Sequence, residues 1–104
     1  MAKYPIEIRA KHRYGITTIS ALMTHPMASG GNNNPTNLQH HAHFIQKVTC
    51  KYGDTILLTA QWGADMPENP YLSFGFKGGV RGDIVTLNWV DNRGGRHSAD
   101  ATIK

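Results

Sequence analysis

The clearest pattern in the chain is Asn69-Pro70-Tyr71-Leu72-Ser73-Phe74-Gly75-Phe76-Lys77-Gly78-Gly79. Large apolar side chains occupy every second position, at Leu72, Phe74 and Phe76, with polar or small residues between them. This two-residue period is typical of a half-buried β-strand, because successive side chains point to opposite faces. Pro70 suits the first residue of such a strand, and the glycine pair after it permits a turn.

The same alternation recurs along most of the chain, without helical periodicity. The predicted strands cover residues 6–13, 16–24, 38–52, 55–62, 70–77, 85–89 and 97–103. About seven short strands separated by turns predict an all-β fold, an immunoglobulin-like antiparallel β-sandwich. We expect Trp62, Trp89, Phe74 and Phe76 to form the centre of its core, because they are the largest apolar groups. The glycine-rich segment 78–83 is predicted to be a hairpin turn.

The size and composition predict a single domain over residues 1–104. The chain has a mass of 11.5 kDa and a formal net charge of +4. Its basic residues are spread out and its aromatic residues fit the core, so we predict neither a nucleic-acid nor a membrane partner. One face of the first strand carries three cations, Arg9, Lys11 and Arg13. They are either a solvated face that protects the strand edge or a stripe that attracts anions.

Two groups of residues are of types that could carry out chemistry. Cys50, the chain's one cysteine, lies in the third strand on the predicted face of Phe44 and Val48, where a buried thiol is inert. Of His40, His41 and His43, a strand places only the last two on one face, and no carboxylate lies at a supporting spacing. We therefore predict no catalytic residue, no metal and no cofactor. An enzyme that uses Cys50 as a reactive thiol, or the histidines as metal ligands, remains one alternative.

Several motifs together resemble one known family. They are Met23-Thr24-His25-Pro26-Met27, Ala42-His43-Phe44-Ile45-Gln46-Lys47-Val48, Trp62-Gly63, Asn69-Pro70-Tyr71-Leu72-Ser73-Phe74, Lys77-Gly78-Gly79, Gly82-Asp83 and Trp89-Val90-Asp91-Asn92. In this order and spacing they resemble SoxZ proteins, subunits of the SoxYZ sulfur carrier of bacterial thiosulfate oxidation. The chain departs from the usual family pattern at Ala28 and Ser29 and in the Asn-rich segment 32–37.

The resemblance implies a non-catalytic scaffold that pairs with a SoxY-like subunit. In that family the partner holds sulfur covalently on a cysteine in a C-terminal Gly-Gly-Cys-Gly-Gly arm, and other Sox enzymes visit the carrier transiently. Cys50 is not flanked by glycines, so this chain looks like the Z subunit. SoxZ-like chains lack a signal peptide of their own, and the implied location is the periplasm, reached by export together with SoxY.

The same resemblance and the preference of interfaces for methionine and aromatic residues predict a partner surface. Its predicted members are Met23, His25, Pro26, Met27, His43, Phe44, Asn69, Pro70 and Tyr71. A homodimer is expected to be possible when the chain is isolated. The alternative function is a stand-alone or homodimeric binding module without a role in sulfur carriage.

Overall fold

Seven β-strands make up the fold. The computed structural model describes residues 5–28, 42–63 and 65–104, and within them it contains no helix, hence none that could cross a membrane. The strands are β1 (Ile6–Arg13), β2 (Ile16–Met23), β3 (Ile45–Tyr52), β4 (Thr55–Gln61), β5 (Tyr71–Lys77), β6 (Ile84–Asp91) and β7 (Arg96–Thr102). The Asn-rich segment 32–37 and the pair His40 and His41 lie outside the described residues.

The strands form two antiparallel sheets that pack as a sandwich. One sheet has the order β1-β2-β5 and the other has the order β4-β3-β6-β7. β1 lies beside β7, and a parallel bridge joins Ala10 to Ile103. The predicted immunoglobulin-like sandwich is confirmed. β4 pairs with β3, whereas in constant antibody domains the fourth strand joins the other sheet.

The glycine-rich segment 78–83 is not a hairpin turn, which corrects the sequence prediction. It joins β5 to β6, and these strands belong to different sheets. The crossing is held by the Thr17 hydroxyl, which donates a 2.6 Å hydrogen bond to the Gly78 carbonyl. Gly79 has a φ of +87°, and a Cβ there would collide with Thr17 Oγ1. Only glycine therefore fits this close approach.

The centre of the core differs from the prediction. Trp89 is fully buried, as expected, but Trp62, Phe74 and Phe76 are only half-buried and pack against the buried core residues. The reason is that β4 and β5 are edge strands of their sheets. The fully buried side chains are Trp89, Ile19, Met23, Ile45, Leu87, Ile103, His25, Val48, Val85, Thr17 and Cys50.

At the start of β3, the sequence predicted the wrong side chains to point into the core. The register shifts between Ile45 and Lys47, so that Ile45 and Val48 are both buried while Gln46 is exposed. A β-bulge of this kind adds one residue to a strand and reverses the alternation beyond it. Phe44, predicted to share the face of Val48, is half-buried beside the core.

Candidate functional site

Four of the motifs that carry the resemblance meet at one end of the sandwich. His25 follows β2, His43 precedes β3, Asn69 precedes β5, and Asp91 ends β6. The end of β2 pairs with the start of β5, and the start of β3 pairs with the end of β6, so the four residues come together at one end of the sandwich. We call this region the motif end.

A buried carboxylate organises the motif end. Asp91 Oδ2 accepts hydrogen bonds from His43 Nε2 at 2.8 Å and from His25 Nε2 at 3.3 Å. Its Oδ1 accepts the backbone N–H groups of Gly95 at 2.6 Å and Arg93 at 3.0 Å. Burial alone raises the pKa of Asp91, but these donors outweigh it, so the pKa lies below its usual value. Asp91 is therefore a buried, ionised acceptor of four hydrogen bonds.

The tautomer of His25 follows from its two ring contacts. Its Nδ1 accepts a 3.1 Å hydrogen bond from the backbone N–H of Met27, so that nitrogen carries no proton. The proton is on Nε2, which donates to Asp91. Burial lowers the pKa of His25, and the hydrogen bond to Asp91 only partly opposes this shift. His25 is therefore neutral in the folded protein.

His25, His43 and Asp91, called here the Asp91 cluster, are residue types that can bind a metal ion. Their ligand atoms lie within 4.8 Å of one another. A histidine that binds a metal through Nε2 carries its proton on Nδ1 and donates it to an acceptor. In His25 that nitrogen faces the Met27 N–H, which is a donor. The arrangement around His25 therefore favours a hydrogen-bonded cluster over a metal centre.

The sequence has no carboxylate at a supporting spacing from the histidines, but the fold brings one to His43. Asp91 lies 48 residues further along the chain, yet its carboxylate is 2.8 Å from His43 Nε2. The His43 ring also contacts the His25 ring edge-on, with centroids 4.5 Å apart. The fold therefore pairs His43 with His25 and Asp91.

Asn69 links the loop before β5 to the loop after β2 by hydrogen bonds. The His25 N–H donates to Asn69 Oδ1, and the Asn69 N–H donates to the His25 carbonyl, both at 3.0 Å. Met27 and Asn69 have positive φ values, of 47° and 53°. Asparagine tolerates that conformation, whereas at Met27 it costs about 1–2 kcal/mol. The hydrogen bond from Met27 N–H to His25 helps to hold this strained backbone in place.

The predicted partner residues differ in how far a partner can reach them. Four are buried, namely Met23, His25, Met27 and Pro70. Pro26, His43 and Phe44 are half-buried, whereas Asn69 and Tyr71 are exposed. Tyr71 is 63% exposed and lies opposite Leu22, which is 40% exposed. The buried members can act on a partner only by supporting these accessible neighbours.

Cys50 is inaccessible. Its side chain is fully buried, and burial raises the pKa of its thiol to about 11. A thiol with that pKa has a negligible thiolate fraction at neutral pH, and the thiolate is the nucleophile in sulfur chemistry. The predicted burial of Cys50 is confirmed, and the raised pKa of its thiol supports the prediction that it is inert.

Asp91 was missed as a site residue, and His25 was predicted on the partner surface and not in the core, although the sequence carries a signal for the burial of both. Asp91 continues the core-facing alternation of Val85, Leu87 and Trp89, and His25 continues that of Ile19, Ala21 and Met23 in the same way. A polar residue at a core-facing position must find a partner inside the protein.

The comparisons agree with these motifs. A family model described as sulphur oxidation protein SoxZ matches residues 6–102, which is nearly the whole chain. No curated protein matches the chain. The four motifs assembled at the motif end all lie within the matched range. The chain therefore belongs to the SoxZ family and has a role in sulfur oxidation by the Sox system.

Proposed function

We propose that this chain is the non-catalytic subunit of a sulfur carrier, paired with a SoxY-like subunit whose C-terminal cysteine holds the sulfur intermediates of thiosulfate oxidation. The observation that supports this most directly is the burial of Cys50. It is the chain's one cysteine, its side chain is fully buried, and the pKa of its thiol is about 11.

A carrier thiol has to satisfy two requirements that Cys50 does not meet. It must be accessible to the enzymes that load and unload it, and it must form a thiolate at working pH. Since the family acts in sulfur oxidation, the reactive thiol belongs on another chain. A SoxY-like subunit with a glycine-flanked terminal cysteine meets both requirements.

The chemistry of the motif end supports a non-catalytic role. Both ring nitrogens of His25 are occupied, one accepting from Met27 and the other donating to Asp91. Asp91 is ionised and accepts four hydrogen bonds, so taking up a proton would disrupt the cluster. Side chains fixed in this way are suited to positioning loops, and general acid–base catalysis requires groups that exchange protons readily.

The accessible part of the motif end is the surface that we propose for the SoxY-like partner. Tyr71 and Leu22 project from neighbouring strands, and Phe44 and Pro26 lie half-buried nearby. Aromatic side chains on a rigid frame make effective interface anchors, because little conformational entropy is lost on binding. The two hydrogen bonds between Asn69 and His25 help to form such a frame.

The location and the further partners are part of the same proposal. In this proposal the chain reaches the periplasm bound to an exported SoxY-like subunit. There the other Sox enzymes would visit the assembled carrier in turn. Deleting the partner's leader is expected to leave both chains in the cytoplasm. Export of this chain alone would contradict this part of the proposal.

Calorimetric titration with a SoxY-like subunit tests the pairing. Tyr71→Ala removes an exposed aromatic anchor at the motif end, and we expect it to weaken binding about tenfold or more. The matched control is Tyr14→Ala, because Tyr14 is 94% exposed in the β1–β2 turn at the opposite end. Equal losses for both variants would contradict the proposed surface. Self-association that Tyr71→Ala abolishes, without binding to SoxY, would instead establish the stand-alone module.

A further inference from the structure

We propose that the outer face of the three-stranded sheet docks an acidic segment of a partner protein. The surface, called here the basic face, is formed by the exposed side chains of Arg9, Lys11 and Arg13 on β1 and Lys77 on β5. Its cations are distinct from the side chains proposed above for pairing, although Leu22 and Tyr71 lie one row beyond Arg9 on the same face of the sheet.

The strand register shapes the basic face into a trough. Three rows across the sheet carry the cations, Arg9-Ser20-Ser73, Lys11-Thr18-Gly75 and Arg13-Ile16-Lys77. Small residues fill most of the middle and far positions, so the long β1 side chains form a raised rim. A fourth row, Glu7-Leu22-Tyr71, continues the same face at the motif end. A groove of about 320 Å³ is lined by the three β1 cations together with Thr18 and Ser20. The groove therefore combines positive charge with hydroxyl groups that can donate hydrogen bonds.

Most of the protein's net charge is concentrated on this face. The four cations are accompanied by one exposed carboxylate, Glu7, so the local formal charge is +3 of the total +4. The other seven cations and six carboxylates of the chain nearly cancel. A surface with this concentration of charge attracts negatively charged partners over longer distances than contact forces act.

The cations of the basic face are not used in ion pairs within the described part of the chain. The ion pairs found there, within 4.0 Å, both involve Asp91 at the motif end. Like charges at neighbouring positions on one sheet face destabilise it, because they repel. An acidic partner would relieve this repulsion.

Protection of a sheet edge does not explain the stripe. Charged side chains often prevent edge strands from pairing with other molecules. The edge of β1 is already covered, since His12 N–H donates to the Lys104 carbonyl at 2.7 Å and Lys104 N–H donates to the Ala10 carbonyl at 3.0 Å. The charges therefore need another explanation.

The spacing of the charges favours an extended acidic segment over a single small anion. Alternate strand residues are about 7 Å apart, so the stripe from Arg9 to Arg13 extends for about 14 Å. Carboxylates at alternate positions of an extended chain repeat at the same interval. The middle of the groove is polar, at Thr18 and Ser20, and binding of this type is fast, weak and sensitive to salt. These properties suit a partner that associates transiently.

An NMR titration with a synthetic peptide of alternating glutamate and serine, long enough to span β1, tests the inference. We expect amide shifts along β1, β2 and β5, and an affinity that falls with added salt. Arg9→Gln/Lys11→Gln/Arg13→Gln should weaken binding about tenfold. The matched control is Lys47→Gln/Lys51→Gln/Arg96→Gln, which removes the same charge from exposed positions on the other sheet and should change affinity less than about twofold. Thermal unfolding verifies that both variants fold.

Three results would overturn the inference. Equal losses in the two triple variants would mean that the peptide responds only to overall charge. Identical shifts with sodium sulfate at matched ionic strength would identify a site for a small anion. Tighter binding of a single-stranded oligonucleotide to the same face would identify nucleic acid as the ligand. Arg9 lines a groove with Leu22 and Tyr71, so the variant that separates the two proposals is Lys11→Gln/Arg13→Gln. It should weaken peptide binding and leave pairing with a SoxY-like subunit unchanged.

Discussion

Asp91 and His43 are 48 residues apart in the sequence, yet His43 Nε2 donates a 2.8 Å hydrogen bond to Asp91 Oδ2 inside the protein. The same oxygen accepts from His25. One buried carboxylate thus joins the end of β6 to the segments that follow β2 and precede β3. The predictions below concern this connection, the buried thiol and the carrier role.

Replacing Asp91 should strongly destabilise the fold. Asp91→Ala leaves four buried or half-buried donors without their acceptor, and we expect a loss of about 3–5 kcal/mol in the free energy of unfolding. Urea denaturation measures the loss. The control is Asp100→Ala, because Asp100 is exposed on β7 and should cost less than about 0.5 kcal/mol. Similar losses for both variants would mean that Asp91 has no special structural role.

Gly95→Ala should damage the same cluster through the backbone. A Cβ at Gly95 would lie 2.7 Å from Asp91 Oδ2 and 3.0 Å from Oδ1, so the carboxylate would have to move. We expect a loss of about 2 kcal/mol, measured by urea denaturation. Gly75→Ala is the control, since its Cβ would meet nothing closer than 3.4 Å. If Gly95→Ala is as stable as this control, the cluster tolerates displacement of Asp91.

Stability should fall as the pH decreases through the range of histidine. Burial lowers the pKa of His25 in the folded protein, with His43 and Arg93 adding to the effect and Asp91 opposing it. Below about pH 6.5 the unfolded chain takes up a proton that folded His25 resists, so acid favours unfolding. The pKa of Asp91 is also lowered in the folded protein. The stabilisation that ionised Asp91 provides is therefore lost at lower pH, below about pH 4. The free energy of unfolding should therefore decrease from pH 7.5 to 5 in the natural protein.

The matched variant for this pH dependence is His25→Gln, which cannot titrate. Its stability at pH 7.5 should be lower, because the contacts with Met27 and Asp91 change. Its decrease between pH 7.5 and 5 should be smaller than that of the natural protein. An equally steep decrease in both proteins would assign the effect to other groups.

Some of these features could be predicted from the sequence, and others depend on distant contacts. The alternation of apolar and polar residues predicted the strands, because the face to which a side chain points in a strand is set by its position relative to its immediate neighbours. It could not locate the bulge after Ile45, which reverses the alternation without a local marker. It also could not show that the segment after Gly78 crosses between sheets, since a crossing and a hairpin use similar turn residues. The contact between His25 and Asp91 depends on how the two sheets stack.

Cys50 should resist alkylation in the folded protein. Its side chain is fully buried and the pKa of its thiol is about 11, so iodoacetamide should react only after unfolding in concentrated urea. Intact mass after each treatment measures this. Cys50→Ala should still support sulfur loading of the carrier. Rapid labelling of the native chain, or loss of loading in the variant, would contradict the role proposed for Cys50.

The most direct test of the carrier role is the intact mass of both chains in the complex purified from cells oxidising thiosulfate. We predict that a second chain with a glycine-flanked C-terminal cysteine co-purifies and carries sulfur adducts, while this chain has its unmodified mass. Isolation of this chain alone, or an adduct on Cys50, would contradict the proposal.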